Sequence, residues 1–267
     1  MKKSILAACM AALVLTACKN KVEDYSERIS FVQTQDGTVY GLQDNEGDKK
    51  HPADLFDAPD SVIQMLGLEE GIESSIRTYI VCKDNYYVLI DAGLGEMGHG
   101  QLLQNMQELG LEPDTIKQIL ITHMHGDHIG GLLSEGEPVF KQADLCISVD
   151  EYEFWNKEEN QLQQAVLKAY AGRIVTFNEE DLLPLGIKAI AVPGHTPGHM
   201  AFQYGNVMII GDAVHGWDLQ KEHPEYCARF DMDKDSAIQS RKQLLDYCKT
   251  NKLFVGGMHM PKAFIQL

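Results

Sequence analysis

Paired cysteines, basic residues and long apolar runs are all scarce in this sequence. None of its six cysteines forms a CxxC pair, which excludes paired-cysteine zinc and redox motifs. Lysine and arginine number 23 against 39 aspartate and glutamate residues, so the formal net charge is −16. An acidic surface repels phosphate backbones, and no basic patch interrupts it, so we do not expect nucleic acid as a partner. The apolar run at 5–15 has eleven residues, too few for a transmembrane helix.

The first residues have the pattern of a targeting segment. Two lysines precede the apolar run at 5–15, and Leu-Thr-Ala-Cys at 15–18 closes it. That ending resembles the lipobox of bacterial lipoproteins, which implies a signal peptide at 1–17, a lipid on Cys18 and a polar tether at 18–27. The protein would then be anchored to a membrane of the bacterial cell envelope, on its periplasmic or cell-surface side. The alternative is an ordinary secretory signal in which Cys18 happens to lie near the cut.

The pattern of apolar residues after the tether predicts one mixed α/β domain at 28–267. Short β-like runs alternate with helical patterns, and no internal repeat or second linker divides them. Strands are predicted at 29–32, 38–42, 76–82, 86–90, 116–121, 145–149, 187–192 and 207–210. Helices with one buried face are predicted at 101–109, 151–170 and 235–248. The sequence carries no signal for the oligomeric state.

One apolar strand runs straight into three histidines and an aspartate. His123 and His125 are two residues apart, so at an extended strand end both rings point the same way and can hold one ion. The glycine that follows lets the chain turn, which redirects Asp127 and His128 toward a second point. This single loop therefore predicts two adjacent metal positions. A lone histidine is more often a hydrogen-bonded core or surface residue, so the prediction depends on the cluster.

Five motifs in this order resemble a known superfamily. His-Met-His-Gly-Asp-His at 123–128 matches the HxHxDH signature of metallo-β-lactamase-fold proteins. Asp-Ala-Gly at 91–93 precedes it, and Gly-His-Thr-Pro-Gly-His at 194–199, Gly-Asp-Ala at 211–213 and Gly-Met-His at 257–259 follow it. The resemblance covers essentially the whole domain. It implies the α/β fold of that superfamily, a four-layer αββα sandwich with metal ligands at the strand ends.

The resemblance further implies that seven side chains hold two divalent metal ions. One ion is bound by His123, His125 and His195, the other by Asp127, His128 and His259, and the Asp212 carboxylate bridges them. Positions left open would hold a shared water whose pKa the ions lower to about 7, so the nucleophile would be a bridging hydroxide. Zinc is the leading choice of metal, and imidazole-rich sites also accept iron, manganese or cobalt.

Three further residues have roles that the resemblance suggests. Asp91 would accept the free N–H of a ligand imidazole and fix its tautomer, or would simply form a turn. Trp155 matches an aromatic residue at the pocket mouth of methyl parathion hydrolase, or is a plain core tryptophan. His215 stands where acyl-homoserine lactonases have a tyrosine, and would contact the substrate carbonyl or face solvent. His199 belongs to a position that is usually structural, so we leave it out of the ligand set.

These features predict a hydrolase that cleaves an ester-type bond in a small-molecule substrate. A lactone or activated ester is favoured, with a phosphotriester as the alternative. The predicted catalytic residues are Asp212, as the bridge, and Asp127, which would face the water and pass its proton to the leaving group. A second hypothesis, from another class of protein, is a non-catalytic lipoprotein that binds zinc. A third hypothesis is an enzyme of the same fold that oxidises persulfides with a single iron.

Departures from other branches of the superfamily narrow the choice. The redox di-iron branch has glutamate where this chain has His125, and β-lactamases proper lack the bridging Asp212. Glyoxalase II relatives carry a helical domain after the last ligand, whereas eight residues follow His259. What remains resembles the group of lactonases and methyl parathion hydrolase. Because His215 replaces the tyrosine of acyl-homoserine lactonases, acyl-homoserine lactones are a less favoured substrate, while lactones as a class remain favoured.

Overall fold

Two β-sheets packed face to face form the centre of the computed structural model, which describes residues 21–267. The strands, in chain order, are β1 (Val22–Asp24), β2 (Ile29–Gln33), β3 (Thr38–Gln43), β4 (Lys49–His51), β5 (Ile72–Ser74), β6 (Arg77–Lys83), β7 (Tyr86–Ile90), β8 (Ile116–Leu120), β9 (Leu133–Ser134), β10 (Glu137–Pro138), β11 (Asp144–Ser148), β12 (Ile174–Phe177), β13 (Lys188–Ala191), β14 (Met200–Tyr204), β15 (Val207–Ile209), β16 (Phe254–Gly256) and β17 (Ile265–Gln266). The larger sheet has the order β1-β2-β3-β6-β7-β8-β11-β12, and the smaller has β13-β14-β15-β16-β17. Strand β4 pairs with β5, and β9 with β10, as two small separate sheets.

The helices lie on the outer faces of these sheets. The α-helices of the described chain are α1 (Asp60–Leu66), α2 (Leu102–Glu108), α3 (Gly126–Ile129), α4 (Val149–Lys157), α5 (Gln161–Ala169), α6 (Trp217–Gln220) and α7 (Lys234–Thr250). Helix α7 begins where the Asp233 side chain accepts a hydrogen bond from the Ser236 N–H, a typical N-cap. Its buried residues, Ala237, Arg241, Leu244 and Cys248, recur every three or four positions and form one face.

Three apolar clusters hold these layers together. Between the sheets, Val81 and Val88 of the larger pack with Phe202 of the smaller. Helices α2 and α5 contribute to the cluster on the outer face of the larger sheet, and α7 contributes Leu244 and Cys248 to the cluster outside the smaller one. The order helix, sheet, sheet, helix confirms the predicted four-layer αββα sandwich. Burial of these apolar faces is the main stabilising contribution to such an arrangement.

The direction of the strands explains where the chemistry-bearing loops meet. Strands β7, β8 and β11 are parallel, so their carboxyl ends lie at one edge of the larger sheet. In the smaller sheet β15 and β16 are parallel, and the segments that follow them carry Asp212 and His259. The loop after β8 carries His123. Residues far apart in sequence therefore converge where these strand ends meet.

The structure contains elements that the sequence patterns did not predict, among them strands β12, β14 and β16 and the short helices α1, α3 and α6. Two of the predicted segments also differ from the structure. The helix predicted at 151–170 is two helices, because Glu158 and Asn160 adopt extended backbone conformations between α4 and α5. The segment predicted as a tether at 18–27 contains β1, which pairs antiparallel with β2 and adds an edge strand to the larger sheet. The predicted signal peptide and Cys18 lie outside the described residues. Within 21–267 no helix has the length and apolar character needed to cross a membrane.

Candidate metal centre

Three imidazoles converge at the carboxyl end of β8. Nε2 of His123 lies 3.0 Å from Nδ1 of His125 and 3.1 Å from Nε2 of His195. The remaining pair, Nδ1 of His125 and Nε2 of His195, is 2.9 Å apart. The rings are nearly perpendicular, at 86° to 89°, so their edges rather than their faces meet. Three nitrogens grouped this closely match the protein part of a zinc site that keeps a position open.

A second group of ligand atoms lies beside the first. Nε2 of His259 is 3.4 Å from Oδ2 of Asp127, and one ligand atom from each of Asp127, His128 and His259 lies within 4.8 Å of the others. Helix α3 begins at the glycine after His125, and its first turn carries both Asp127 and His128. The turn that the sequence predicted therefore separates the two pairs of side chains.

The Asp212 carboxylate contacts both groups. Its Oδ1 is 3.1 Å from Nε2 of His128, and its Oδ2 is 3.1 Å from Nε2 of His259. On the other side the same Oδ2 is 3.5 Å from Nε2 of His195 and 3.8 Å from Nε2 of His123. One carboxylate thus lies where a bridge between two ions would have to be. The structure brings all seven predicted ligands together at this point.

The backbone around Asp212 is specialised for this placement. Gly211 has φ of 51°, in the left-handed region that glycine adopts without steric cost, and a Cβ there would lie 2.4 Å from Nε2 of His199. That same nitrogen accepts a hydrogen bond from the Asp212 N–H at 3.2 Å. His199 therefore supports the loop through its ring nitrogen, in keeping with its omission from the ligand set.

The protonation of the buried cluster fits a bound cation. Burial and the nearby His128 lower the pKa of His123 well below its usual range, so this imidazole is neutral and free to donate a lone pair. Burial opposes a charge on His128, yet Asp212 and Asp91 raise its pKa well above the usual value. Nε2 of His128 and Oδ1 of Asp212 are buried and neither completes a hydrogen bond. A cation at this point would replace the proton of His128 and satisfy both atoms.

The carboxylates of the site stay ionised. Burial alone would raise the pKa of Asp212, but His259 and His128 hold it well below its usual range. Burial also opposes ionisation of Asp127, and His128 with His259 again lowers its pKa. Two ionised carboxylates among several imidazoles are a donor set that favours a divalent ion of intermediate softness.

Outer hydrogen bonds fix the orientation of the rings. Oδ2 of Asp91 lies 2.9 Å from Nδ1 of His128, and its Oδ1 accepts the Thr122 N–H at 2.8 Å. Asp91 has φ of 56°, an uncommon left-handed conformation for a non-glycine residue. The backbone oxygen of Ser75 lies 3.1 Å from Nδ1 of His259. Such partners fix which ring nitrogen faces the metal.

Asp231 is a further outer partner, and like Ser75 it was not predicted from the sequence. Oδ1 of Asp231 lies 3.0 Å from Nδ1 of His195, and its Oδ2 is 2.9 Å from the buried Arg241 guanidinium. Neighbouring His195 and Arg241 hold the pKa of Asp231 low against its burial. No motif singles out Asp231, since it precedes α7 in a segment without a repeated pattern and its partner is 36 residues away.

Two residues with predicted pocket roles lie beside the centre. His215 is fully buried, so the alternative of a solvent-facing loop histidine is wrong. Its Nε2 is 3.3 Å from Oδ2 of Asp212, and its ring stacks on His259 at 5.3 Å. The buried Trp155 ring is 5.7 Å from the His125 ring.

His51 is a further neighbour of the centre that no sequence motif singles out. It lies at the end of β4, is buried, and its ring is 5.0 Å from the ring of His259. Burial and the adjacent His259 lower its pKa to about 3. Its Nε2 has no hydrogen-bond partner among the described residues. It enters the site from a part of the chain without any histidine motif.

Large apolar side chains stand at the outer side of the centre. Phe230 and Met232 flank the buried Asp231 and are 51% and 49% exposed. The Phe230 ring is 5.9 Å from the His215 ring, and the Met232 N–H donates to the backbone oxygen of His195. Apolar side chains beside a few convergent polar groups are what the wall of a small-molecule site requires.

A family model described as the metallo-beta-lactamase superfamily matches residues 72–248. The chain belongs to that superfamily, which confirms the family predicted from its motifs. Among curated proteins it is similar to N-acyl homoserine lactonase AiiA of Bacillus thuringiensis subsp. kurstaki, at 24% identity over 201 residues, 65% of this chain and 76% of that protein. It is also similar to an N-acyl homoserine lactonase of a Bacillus species, at 26% identity over 223 residues, 73% of this chain and 85% of that protein.

Solved structures share the fold. The hydrolase AbOPH of the beta lactamase superfamily superposes with a TM-score of 0.80 at 25% identity, covering 91% of this chain and 94% of that one. AidC, a dizinc quorum-quenching lactonase solved with a product N-hexanoyl-homoserine, superposes with a TM-score of 0.78 at 22% identity, covering 93% and 98%. The whole described domain, rather than a fragment, therefore has the architecture of these hydrolases.

Proposed function

We propose that this protein is a dinuclear metal-dependent hydrolase that cleaves an ester-type bond in a small molecule, most readily a lactone or activated ester. The observation that carries the proposal is the position of Asp212. Its two oxygens contact histidines of both ligand groups at 3.1 to 3.8 Å. A storage site needs one saturated ion, whereas a shared carboxylate between two incomplete groups supports a paired centre with open positions.

The side chains of the site can take separate catalytic roles. Two divalent ions, when bound, polarise a carbonyl and lower the pKa of water to about 7. Asp127 has an ionised carboxylate at neutral pH, and its side chain is 27% exposed, so it can take a proton from water and pass it to the leaving oxygen. The His215 ring lies between Asp212 and the exposed Phe230, where it can hydrogen-bond a substrate oxygen.

The comparisons support the ester class without selecting a compound. Curated relatives are named as lactonases, and the dizinc neighbour was solved with an opened lactone. Zinc is the metal we propose for both positions, because the ligand set is rich in imidazole and the two carboxylates complete it. The charge of the chain, −16, also favours a neutral substrate over a strongly anionic one.

A substrate panel tests this proposal. Zinc-loaded protein is assayed with lactones, aryl esters, phosphotriesters and β-lactams at neutral pH. We expect turnover of lactones and aryl esters, weaker turnover of phosphotriesters and none of β-lactams. Zinc binding without turnover of any compound would instead support a non-catalytic zinc-binding protein, and oxygen uptake with one iron per chain would support persulfide oxidation.

The half-exposed side chains of Phe230 and Met232, which we call the rim, predict a preference for substrates with an apolar substituent. Burying one methylene contributes about 0.8 kcal/mol, so a half-buried chain gains roughly twofold in kcat/KM per methylene. For lactones with alkyl substituents of increasing length, the wild type should follow this slope. The double variant Phe230→Ser, Met232→Ser should flatten it. Leu182→Ser removes a fully exposed leucine elsewhere and is the matched control; an unchanged slope in the double variant would remove the rim from substrate recognition.

A further inference from the structure

Glu151 is a fully buried carboxylate for which no lysine or arginine partner occurs between residues 21 and 267. Burying an ionised carboxylate is costly unless hydrogen bonds replace its hydration. Its two oxygens accept four such bonds. Oε1 accepts the Met124 N–H at 2.8 Å and the Trp155 indole N–H at 2.6 Å. Oε2 accepts the Thr196 hydroxyl at 2.7 Å and the Gly198 N–H at 3.1 Å.

The position of Glu151 in its helix makes this arrangement unusual. Ser148 is the N-cap of α4 and accepts the Glu151 N–H at 3.2 Å, which is half of a capping box. In a complete capping box the glutamate would bond back to the backbone N–H of the cap residue. Here the Glu151 carboxylate accepts one bond from Trp155 of its own helix and three from other loops, while the Ser148 hydroxyl donates to the Gly198 oxygen at 2.6 Å. The first turn of α4 thus bonds mainly to partners outside the helix.

Those partners are the two loops that carry one group of metal ligands. Met124 lies between His123 and His125 in the chain, and Thr196 follows His195. A Cβ on Gly198 would lie 2.0 Å from the Glu151 nitrogen, so this turn packs directly on the helix backbone. One carboxylate therefore ties together the two backbone segments whose three imidazole nitrogens lie about 3 Å from one another.

We propose that Glu151 is a positioning residue for the metal position formed by His123, His125 and His195. This proposal rests on the dinuclear centre of the proposed function, but it is independent of the reaction that the centre catalyses. The carboxylate binds no metal; it sets the spacing of the two ligand loops. It also holds Trp155 beside His125. The other metal position has different supports, since Asp91 holds His128 and Ser75 holds His259, so Glu151 acts on one position of the pair.

Zinc titration of metal-free protein tests this role. Glu151→Gln keeps the side-chain shape. Its amide NH2 group, however, would face two hydrogen-bond donors that in the wild type both bond to one carboxylate oxygen. Loss of partners that orient metal ligands lowers metal affinity by about 10- to 100-fold. We therefore expect wild-type protein to bind two zinc ions tightly, and Glu151→Gln to bind one with wild-type affinity and the other 10- to 100-fold more weakly. Competition with a chromophoric chelator measures both.

Asp44→Asn is the matched control. Asp44 is also fully buried and accepts backbone N–H groups of Leu94 and Leu102, at 2.7 and 2.6 Å, but contacts neither ligand loop. The Asp44→Asn variant should unfold at a lower temperature than the wild type and should bind both zinc ions with wild-type affinity. Equal weakening in Asp44→Asn and Glu151→Gln, or unchanged zinc binding in Glu151→Gln, would overturn the proposal.

A milder variant covers the case in which Glu151→Gln does not fold. Thr196→Val removes one of the four hydrogen bonds and should weaken one zinc affinity by about threefold to tenfold. Zinc affinities equal to those of the wild type in Thr196→Val would then refute the role of Glu151. A wild type that binds two zinc ions but turns over no ester would refute the proposed function and leave this inference standing.

Discussion

Replacing Asp212 with alanine should reduce kcat/KM for the best lactone or ester by about three orders of magnitude. Stabilising charge at a metal centre contributes several kcal/mol to catalysis, and about 4 kcal/mol corresponds to a factor of 10³. The loss would be large because the Asp212 oxygens contact histidines of both ligand groups at 3.1 to 3.8 Å. Steady-state kinetics with zinc in excess measure it.

Asp218→Ala is the control for that substitution. Asp218 is six residues further along the chain, in α6, and forms an ion pair with the partly exposed Lys221 at 2.9 Å. Exposed ion pairs contribute about 0 to 1 kcal/mol, so this variant should retain wild-type kinetics. If Asp212→Ala kept kcat/KM within tenfold of the wild type while folded, the bridge would play no part in the chemistry.

Removal of metal should abolish turnover and lower the thermal unfolding temperature, Tm. A ligand present at 1,000 times its Kd stabilises the native state by about 4 kcal/mol. In a domain of this size, 1 kcal/mol corresponds to roughly 2 to 4 °C, so Tm should fall by about 10 °C. Chelation also leaves the Asp212 carboxylate buried among histidines without a cation to bind it, which further destabilises the folded state. Activity assays and calorimetry before and after chelation measure both effects.

Restoring zinc completes that experiment. Activity and Tm should return together as zinc is added, whereas magnesium should restore neither, because an imidazole-rich site disfavours it. Turnover that survives complete chelation would show that another part of the chain performs the reaction.

Much of the centre was predictable because its ligands lie in short motifs at strand ends. His123, His125, Asp127 and His128 fall within six residues, and the turn between them determines which ion each one faces. The strand at 86–90 was predicted with its observed bounds and the other seven predicted strands within one residue at each end, because short apolar runs mark buried strands. Strands β12, β14 and β16 were not predicted. The αββα layering followed from the family resemblance rather than from any single pattern.

Apart from Asp91, which lies in one of the motifs, the supports of the ligands could not be predicted in the same way. Glu151 contacts Met124 across 27 residues, and His51 reaches His259 from the other end of the chain. Such contacts depend on how loops from separate strands meet, and no local spacing encodes them. The break between α4 and α5 was missed for a related reason. The apolar residues of both helices fit one continuous helical period, while the backbone at Glu158 and Asn160 is extended.

The metal content of the purified protein is the most direct test of the central claim, that the clustered histidines and carboxylates form a shared centre for two ions. Elemental analysis after growth with ample zinc should find two equivalents per chain, falling below two in Asp212→Ala. A protein that is metal-free under those conditions, or that binds two ions as well after Asp212→Ala as before, would contradict the account.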